Sequence, residues 1–412
     1  MNYSLRRQRL LEGLEDPSFV LIFSGKAPMR SADEAYEFVV DRNFFYLTGI
    51  DRENMALLLS KRNGVCHSVL FIEPYDEMLA RWVGGRMREE EAMEISGVDE
   101  VRDIRDLDDH LVNLYARGLR QQASFPVYFD LWRQEAEQDR TPGIDYARKL
   151  QKKYPQIQVK DIFPALTSLR LVKDEEEITA IRKAIHRTRL GIEAMMRSIR
   201  SNQNEMQMEA VFLFSLMQGG CRDVAFHTIA ASGERATTLH YSDNDQTMKD
   251  GELFLCDLGA TEGHYCADIS RTFPVNGRFS DRQREIYELV LTVQKKVKDA
   301  ARPGVSIRDL QKLVIDFYRE ELPKHGLYKD VSEYYFHGIG HHLGLDTHDV
   351  DGGLGLILQP GHVITDEPGL YIRDEGIGIR IEDDLLITEE GSEWLSEEII
   401  KEPDVIEAFM KR

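Results

Sequence analysis

The chain has 412 residues, 42% hydrophobic and 30% charged, ordinary proportions for folded domains and enough length for two or three separate cores. Its formal net charge of -20 argues against nucleic acid or an anionic membrane surface as partner, since either requires a basic face. Four cysteines without CxxC spacing indicate neither a zinc knuckle nor a redox pair, so reduced thiols and a cytoplasmic location are expected.

The opening MNYSLRRQRLLEGL has no apolar run of signal-peptide length, and no later stretch is apolar enough to span a bilayer. Leu5, Leu10, Leu11 and Leu14 predict instead a short amphipathic helix with its arginines outside. The runs VLIFSG (20–25), MALLLS (55–60), SVLFIEP (68–74) and FPVYFDL (125–131) predict buried strands. Helical segments are expected between them at REEEAMEIS (88–96) and around Asp106–Leu119. This mixture predicts an α/β domain.

A segment with two prolines and no long period, QKKYPQIQVKDIFPALTSLRLVKDEEEI, follows. It sets the expected division into 1–165 and 166–412. Ile178, Ile181, Ile185, Thr188, Ile192, Met195 and Ile199 then recur at steps of three and four, one face of a long helix. Two further helices are expected. One carries Ile286, Leu289, Val290, Val293 and Val297; the other starts at Ser306, an N-cap with Asp309 three residues on, and runs through Leu310, Leu313, Val314 and Phe317. The second part reads as helix, helix, strand pair, twice over.

The chemistry-bearing residues cluster on the strand-like segments. In LFLCDLGATEGHYCADISRTFPV, Leu253, Leu255 and Asp257 share a strand face, and a turn brings Asp268 back beside Asp257. Cys256 and Cys266, next to these acids, are read as buried thiols. HGIGHHLGLDTHD crowds His337, His341, His342 and His348 among glycines, which points to metal or substrate contact; spacing does not decide which histidine binds. Glu367 lies in VITDEPGLYI before a Pro-Gly bend. In GIGIRIEDD, Arg380 and Glu382 are expected on one strand, pointing the same way, with Ile379, Ile381 and Leu385 facing away. Carboxylates with imidazole suit a pair of divalent cations that activate water, so a hydrolase is expected. No GxSxG elbow, P-loop or GxGxxG offers another chemistry.

These motifs, in this order, resemble the pita-bread metallopeptidases of the aminopeptidase P (Xaa-Pro aminopeptidase) family. FFYLTGI (44–50), RWVGGRM with GVDEV, SLRLVKDEEEI and LHYSDND (239–245) extend the resemblance over most of the chain. It implies an α/β (α+β) protein with a creatinase-like N-terminal domain and a pita-bread catalytic domain. It also implies two divalent metal ions, most often Mn2+, and removal of an N-terminal residue that precedes proline. By motif, Asp257, Asp268, His341, Glu367 and Glu382 are the implied ligands, with Asp268 and Glu382 bridging and Glu367 also shuttling a proton. His240 and His348 are implied to steady the tetrahedral intermediate, and His337 to line the pocket beyond the scissile bond. Arg380 and Tyr371 would support the ligands. Trp82 would reach a neighbouring subunit's site, so a homodimer or homotetramer is expected.

Some positions depart from the family pattern. His342 is expected to make the pocket wall more polar, and His362 and Asp366 to add charge near EPG. Asn43 stands where an acid occurs, which questions a proton relay there. The alternatives are a prolidase restricted to Xaa-Pro dipeptides and a non-catalytic pita-bread peptide-binding module; creatinase fits less well, because every ligand type is retained.

Overall fold

The computed structural model describes residues 1–119, 125–133 and 141–411. Its contacts divide into two compact units, Met1–Leu169 and Arg170–Arg412.

The first unit is built on one mixed six-stranded sheet of order β4-β3-β2-β1-β5-β6. The strands are β1 (Ser18–Phe23), β2 (Ala56–Arg62), β3 (Val65–Ile72), β4 (Glu100–Asp103), β5 (Pro126–Phe129) and β6 (Gln158–Asp161). The four apolar runs in the sequence form its central strands. Phe19, Leu21, Leu58, Val69, Phe71, Val127 and Phe129 point to one face, where α5 (Leu107–Leu119) and α6 (Pro142–Lys153) cover them with Leu111, Tyr115 and Leu150. The edge strands β4, EVRD, and β6, QVKD, lack an apolar run and escaped the sequence reading. Charged residues on an edge strand are a usual guard against further pairing.

The first helix, α1 (Tyr3–Glu12), forms as expected, but its arginines are not all outside. Arg6 and Arg7 are buried. Arg7 Nη1 donates to Leu47 O and Ser96 O, each at 2.8 Å, and Nη2 donates to Gly97 O at 2.6 Å. These carbonyls close α2 (Arg42–Thr48) and α4 (Glu89–Ser96), where the helix leaves acceptors unpaired and favours a cation. Between those helices lies α3 (Glu77–Val83), none of whose residues is buried.

The second unit opens, after α7 (Phe163–Leu171), with α8 (Glu175–Ser198). Asp174 and Glu177 form a reciprocal capping box there, and Ile178, Ile181, Ile185, Thr188, Ile192 and Met195 are the buried face that the spacing predicted. Next come α9 (Glu205–Gln218) and the antiparallel sheet β11-β8-β7, from β7 (Ile229–Ser232), β8 (Leu253–Leu258) and β11 (Ile269–Pro274). A small ribbon, β9 (Thr261–Glu262) with β10 (Tyr265–Cys266), fills the connection between β8 and β11. The pattern then repeats with α10 (Asp281–Ala300) and α11 (Ile307–Glu321). The first buries all five expected apolar residues, and Ser306 with Asp309 caps the second reciprocally. Of the residues expected on α11, Leu310 and Val314 are buried while Leu313 and Phe317 are half-buried.

Two more antiparallel groups complete the unit before α12 (Pro403–Met410). One joins β12 (Val363–Asp366), β15 (Asp383–Ile387) and β16 (Ser392–Trp394); the other pairs β13 (Gly369–Ile372) with β14 (Ile377–Arg380). The single strand expected through Arg380 and Glu382 is therefore broken. Arg380 ends β14, the chain changes sheets at Ile381–Glu382, and β15 begins at Asp383.

Candidate metal centre

Strand register begins the convergence. In the β8–β11 pair Ser270 lies opposite Asp257, so the two side chains share a face. Asp268 immediately precedes β11, and its N–H donates to Asp384 Oδ2 at 3.3 Å. Gly259 permits this return, because a Cβ there would sit 1.8 Å from Ala267 O. On the other side, the glycine-rich loop lies against the end of β12. A Cβ on Gly340 would be 2.1 Å from Thr365 O. That close approach lets Thr365 N–H donate to His341 O at 2.9 Å and His341 N–H donate to Thr365 Oγ1 at 3.1 Å. Glu367 follows directly, its N–H donating to Ile339 O at 3.0 Å.

The result is a cavity of about 790 Å³ lined by Asp257, Asp268, His341, Glu367, Arg380 and Glu382 among others. One ligand atom from each of Asp268, His341 and Glu382 lies within 4.8 Å of the others. His341 Nε2 is 3.4 Å from Asp268 Oδ2 and 3.7 Å from Glu367 Oε1. Its Nδ1 donates to His342 O at 3.1 Å, which leaves the Nε2 lone pair facing the acids. Among the four histidines of the loop, this arrangement singles out His341.

The donor set fits divalent cations. Burial first, then the charges of neighbouring carboxylates, hold Asp268 and Glu382 well above the ordinary carboxylate range, and burial raises Glu367. Asp257 Oδ1 is buried with no hydrogen-bond partner. Buried carboxylates in mutual contact are costly unless a cation neutralises them. Oxygen donors with one imidazole suit manganese, zinc, cobalt or iron.

Around the acids runs a chain of hydrogen bonds. Arg380, buried, donates through Nη2 to Asp257 Oδ2 at 2.7 Å, through Nε to Ser270 Oγ at 2.7 Å, and through Nη1 to Tyr371 Oη at 2.9 Å. Ser270 Oγ in turn donates to Glu382 Oε2 at 2.8 Å. Tyr371 Oη donates to His337 Nε2 at 2.9 Å, while His337 Nδ1 donates to Gly338 O at 2.8 Å. Burial lowers His337 to about 3, so the ring is neutral and both nitrogens are committed within the protein. His240 and His348 also line the cavity, both exposed, and the His348 ring lies 4.2 Å from that of His341. Trp82 belongs to the first unit, on α3, and is 81% exposed.

The departures behave differently from expectation. His342 does not line the cavity. It is buried against His362, ring centroids 5.2 Å apart, and burial lowers the two to about 3 and about 4, so both are neutral. Asp366 is fully buried at the end of β12, where burial pushes its carboxyl well above the usual range. The expected polar wall is absent because His342 lies outside the cavity lining, and desolvation disfavours the charge expected at His362 and Asp366. Asn43 donates to Asp130 Oδ2 at 2.6 Å within the first unit. Cys256 and Cys266 are buried, and burial raises the Cys256 thiol to about 12.

Sequence reasoning missed Ser270 and Thr365, which orient the candidate ligands, and Phe226, Ile229 and Leu239, which form an apolar wall. Ser270 carried one usable signal: it directly follows the apolar residue after Asp268, on the strand expected to pair with that of Asp257.

Comparison with known proteins agrees with this geometry. Residues 179–389 match the model of metallopeptidase family M24, and residues 3–121 match that of the aminopeptidase P N-terminal domain. The chain belongs to metallopeptidase family M24. The Xaa-Pro aminopeptidase of Haemophilus influenzae is 36% identical, covering 98% of this chain and 96% of that protein; the Escherichia coli enzyme is 35% identical over 99% and 97%. A zinc-substituted E. coli aminopeptidase P in complex with product superposes with a TM-score of 0.90 at 34% identity, covering 99% of this chain and 97% of the other. Proline aminopeptidase P II from Yersinia pestis gives 0.90 at 34%, over 99% and 98%. The M24 chain thus pairs an aminopeptidase P-type N-terminal domain with a pita-bread domain, and it is a divalent-metal hydrolase of the aminopeptidase class.

Proposed function

We propose that this chain is a Xaa-Pro aminopeptidase that removes the N-terminal residue from Xaa-Pro-Yaa peptides. Asp257, Asp268, His341, Glu367 and Glu382 would hold two manganese ions. The observation that carries the reading is the convergence of Asp268, His341 and Glu382 on one point of a cavity that Asp257 and Glu367 also line.

The bound cations would supply hydroxide at neutral pH and polarise the scissile carbonyl. The protein's own groups perform the rest. Arg380 holds Asp257 and, through Ser270, Glu382 in the geometry described. Glu367 takes a proton on a carboxylate oxygen and passes it to the departing proline nitrogen. His240 and His348, exposed in the cavity, hydrogen-bond the oxygen that becomes negative as the carbonyl turns tetrahedral. His337 has both nitrogens engaged, so it offers the cavity carbon edges suited to a pyrrolidine ring.

A cytoplasmic homodimer or homotetramer completes the proposal. Met78, Trp82 and Val83 on α3 are 67%, 81% and 77% exposed, an apolar surface of the kind a neighbouring subunit covers. The proposal keeps the division into 1–165 and 166–412, and the change of unit after Leu169 supports a boundary in this region. A panel of Xaa-Pro-Yaa tripeptides beside Xaa-Pro dipeptides, assayed with manganese, tests the specificity. Release of the N-terminal residue from the tripeptides supports it; cleavage confined to dipeptides identifies a prolidase instead.

A further inference from the structure

Glu205 begins α9, lines no part of the cavity and is fully buried. Its carboxylate collects four hydrogen bonds. Oε1 accepts from Ser232 N–H at 2.7 Å and from Ser232 Oγ at 2.6 Å; Oε2 accepts from Tyr241 Oη at 2.9 Å and from Gln246 N–H at 3.0 Å. Four donors fill the capacity of the group, so its burial specifies one arrangement of the segments that supply them. Those segments frame the cavity. Ser232 ends β7, whose Ile229 is part of the apolar wall, and Tyr241 directly follows His240.

A second clamp works on the same loop. Asn244, buried at a left-handed φ of 47°, accepts from Ala230 N–H at 2.9 Å through Oδ1 and donates from Nδ2 to Thr228 O at 2.8 Å. His240 itself is exposed, so its placement comes from its backbone, which Tyr241 and Asn244 anchor directly after it and Ser232 eight residues before it.

We propose that Glu205 is a positioning residue for the hydrolytic reaction, acting through Tyr241 to hold His240 where it meets the tetrahedral oxygen. This rests on the role given to His240 above. Glu205→Gln keeps the shape but turns one acceptor into an NH2 donor, which then faces donors of the loop or of β7. In the manganese-loaded enzyme, E205Q is expected to lower kcat about tenfold with KM and bound metal little changed, as for a contact made in the transition state. Tyr241→Phe, which removes one donor and preserves the packing, is expected to lower it about threefold.

The decisive measurement is a double-mutant cycle with His240→Ala. If the clamp acts through His240, neither E205Q nor Y241F lowers kcat further in the H240A background. Losses that multiply in full, with H240A itself impaired, overturn the clamp and leave the role of His240 standing. An H240A enzyme with unimpaired kcat overturns that role, and the clamp with it.

Discussion

Ser270 lies on β11 and Glu382 in the link between β14 and β15, yet the Ser270 hydroxyl donates to Glu382 Oε2 at 2.8 Å while accepting from Arg380. This one hydroxyl couples the guanidinium to a candidate ligand. Ser270→Ala leaves both partners buried with a bond unmade, a cost of about 1–3 kcal/mol, and frees the Glu382 carboxylate to rotate. Loss of a group that orients a ligand typically weakens metal binding roughly 10–100-fold. Calorimetric titration of the stripped protein with manganese checks this; affinity equal to wild type would remove Ser270 from the account.

Two glycines of the histidine loop make a sharp contrast. Gly340 packs where a Cβ would meet Thr365 O at 2.1 Å, whereas a Cβ on Gly338 would find nothing nearer than 3.9 Å. Gly340→Ala therefore has to part the loop from β12 and move His341, with loss of bound metal. Gly338→Ala is expected to retain metal. Metal analysis of the two purified variants distinguishes them, and equal metal content would contradict the packing argument.

The cavity acids set a pH dependence. Asp268, Glu367 and Glu382 have folded-state values raised by burial, so without metal the folded chain retains protons that the unfolded chain releases near pH ~4. Their contribution to stability is present below that pH and is lost as pH rises through the raised folded values. Bound cations remove the repulsion and compete with protons, so the gain in Tm on adding manganese should grow from pH 5 to pH 8. Thermal melts with manganese or EDTA at each pH measure it. A gain independent of pH would show that these carboxyls are not what the metal relieves.

Asp349, next to His348, anchors the histidine loop from beneath. Its Oδ1 pairs with Arg170 at 2.5 Å and its Oδ2 with Lys173 at 3.2 Å, all three side chains being buried. Asp349→Ala removes the buried carboxylate that both cations share, leaving Arg170 its contact with Asp346 at 3.0 Å, an effect of about 3–5 kcal/mol. Asp374→Ala removes only an exposed partner of Lys329 and should leave the unfolding midpoint unchanged. Urea denaturation of both variants decides the matter, and similar midpoints would contradict the difference.

How much of this the sequence disclosed follows from the kind of signal each residue carries. Asp257, Asp268, His341, Glu367 and Glu382 stand in apolar or glycine-rich surroundings where charged chemistry is conspicuous, and the stripes of α8 and α10 repeat with the helical period. Ser270 is an ordinary strand serine whose partners lie 110 and 112 positions away. Arg6 and Arg7 look solvated until the ends of α2 and α4 supply carbonyls for them. His342 and His362 look chargeable until burial favours their neutral forms. The break between Arg380 and Glu382 is invisible because residues on either side keep the alternation of one strand, while the chain is in fact handed from one pairing partner to another.

The central claim is that the chain hydrolyses Xaa-Pro-Yaa through cations held by these five side chains. Its most direct test is release of the free N-terminal amino acid by stripped protein titrated with manganese, beside Glu367→Ala. Activity should rise from baseline and saturate near two equivalents per chain, with the variant inactive throughout. Hydrolysis without added metal, or undiminished in Glu367→Ala, would contradict it.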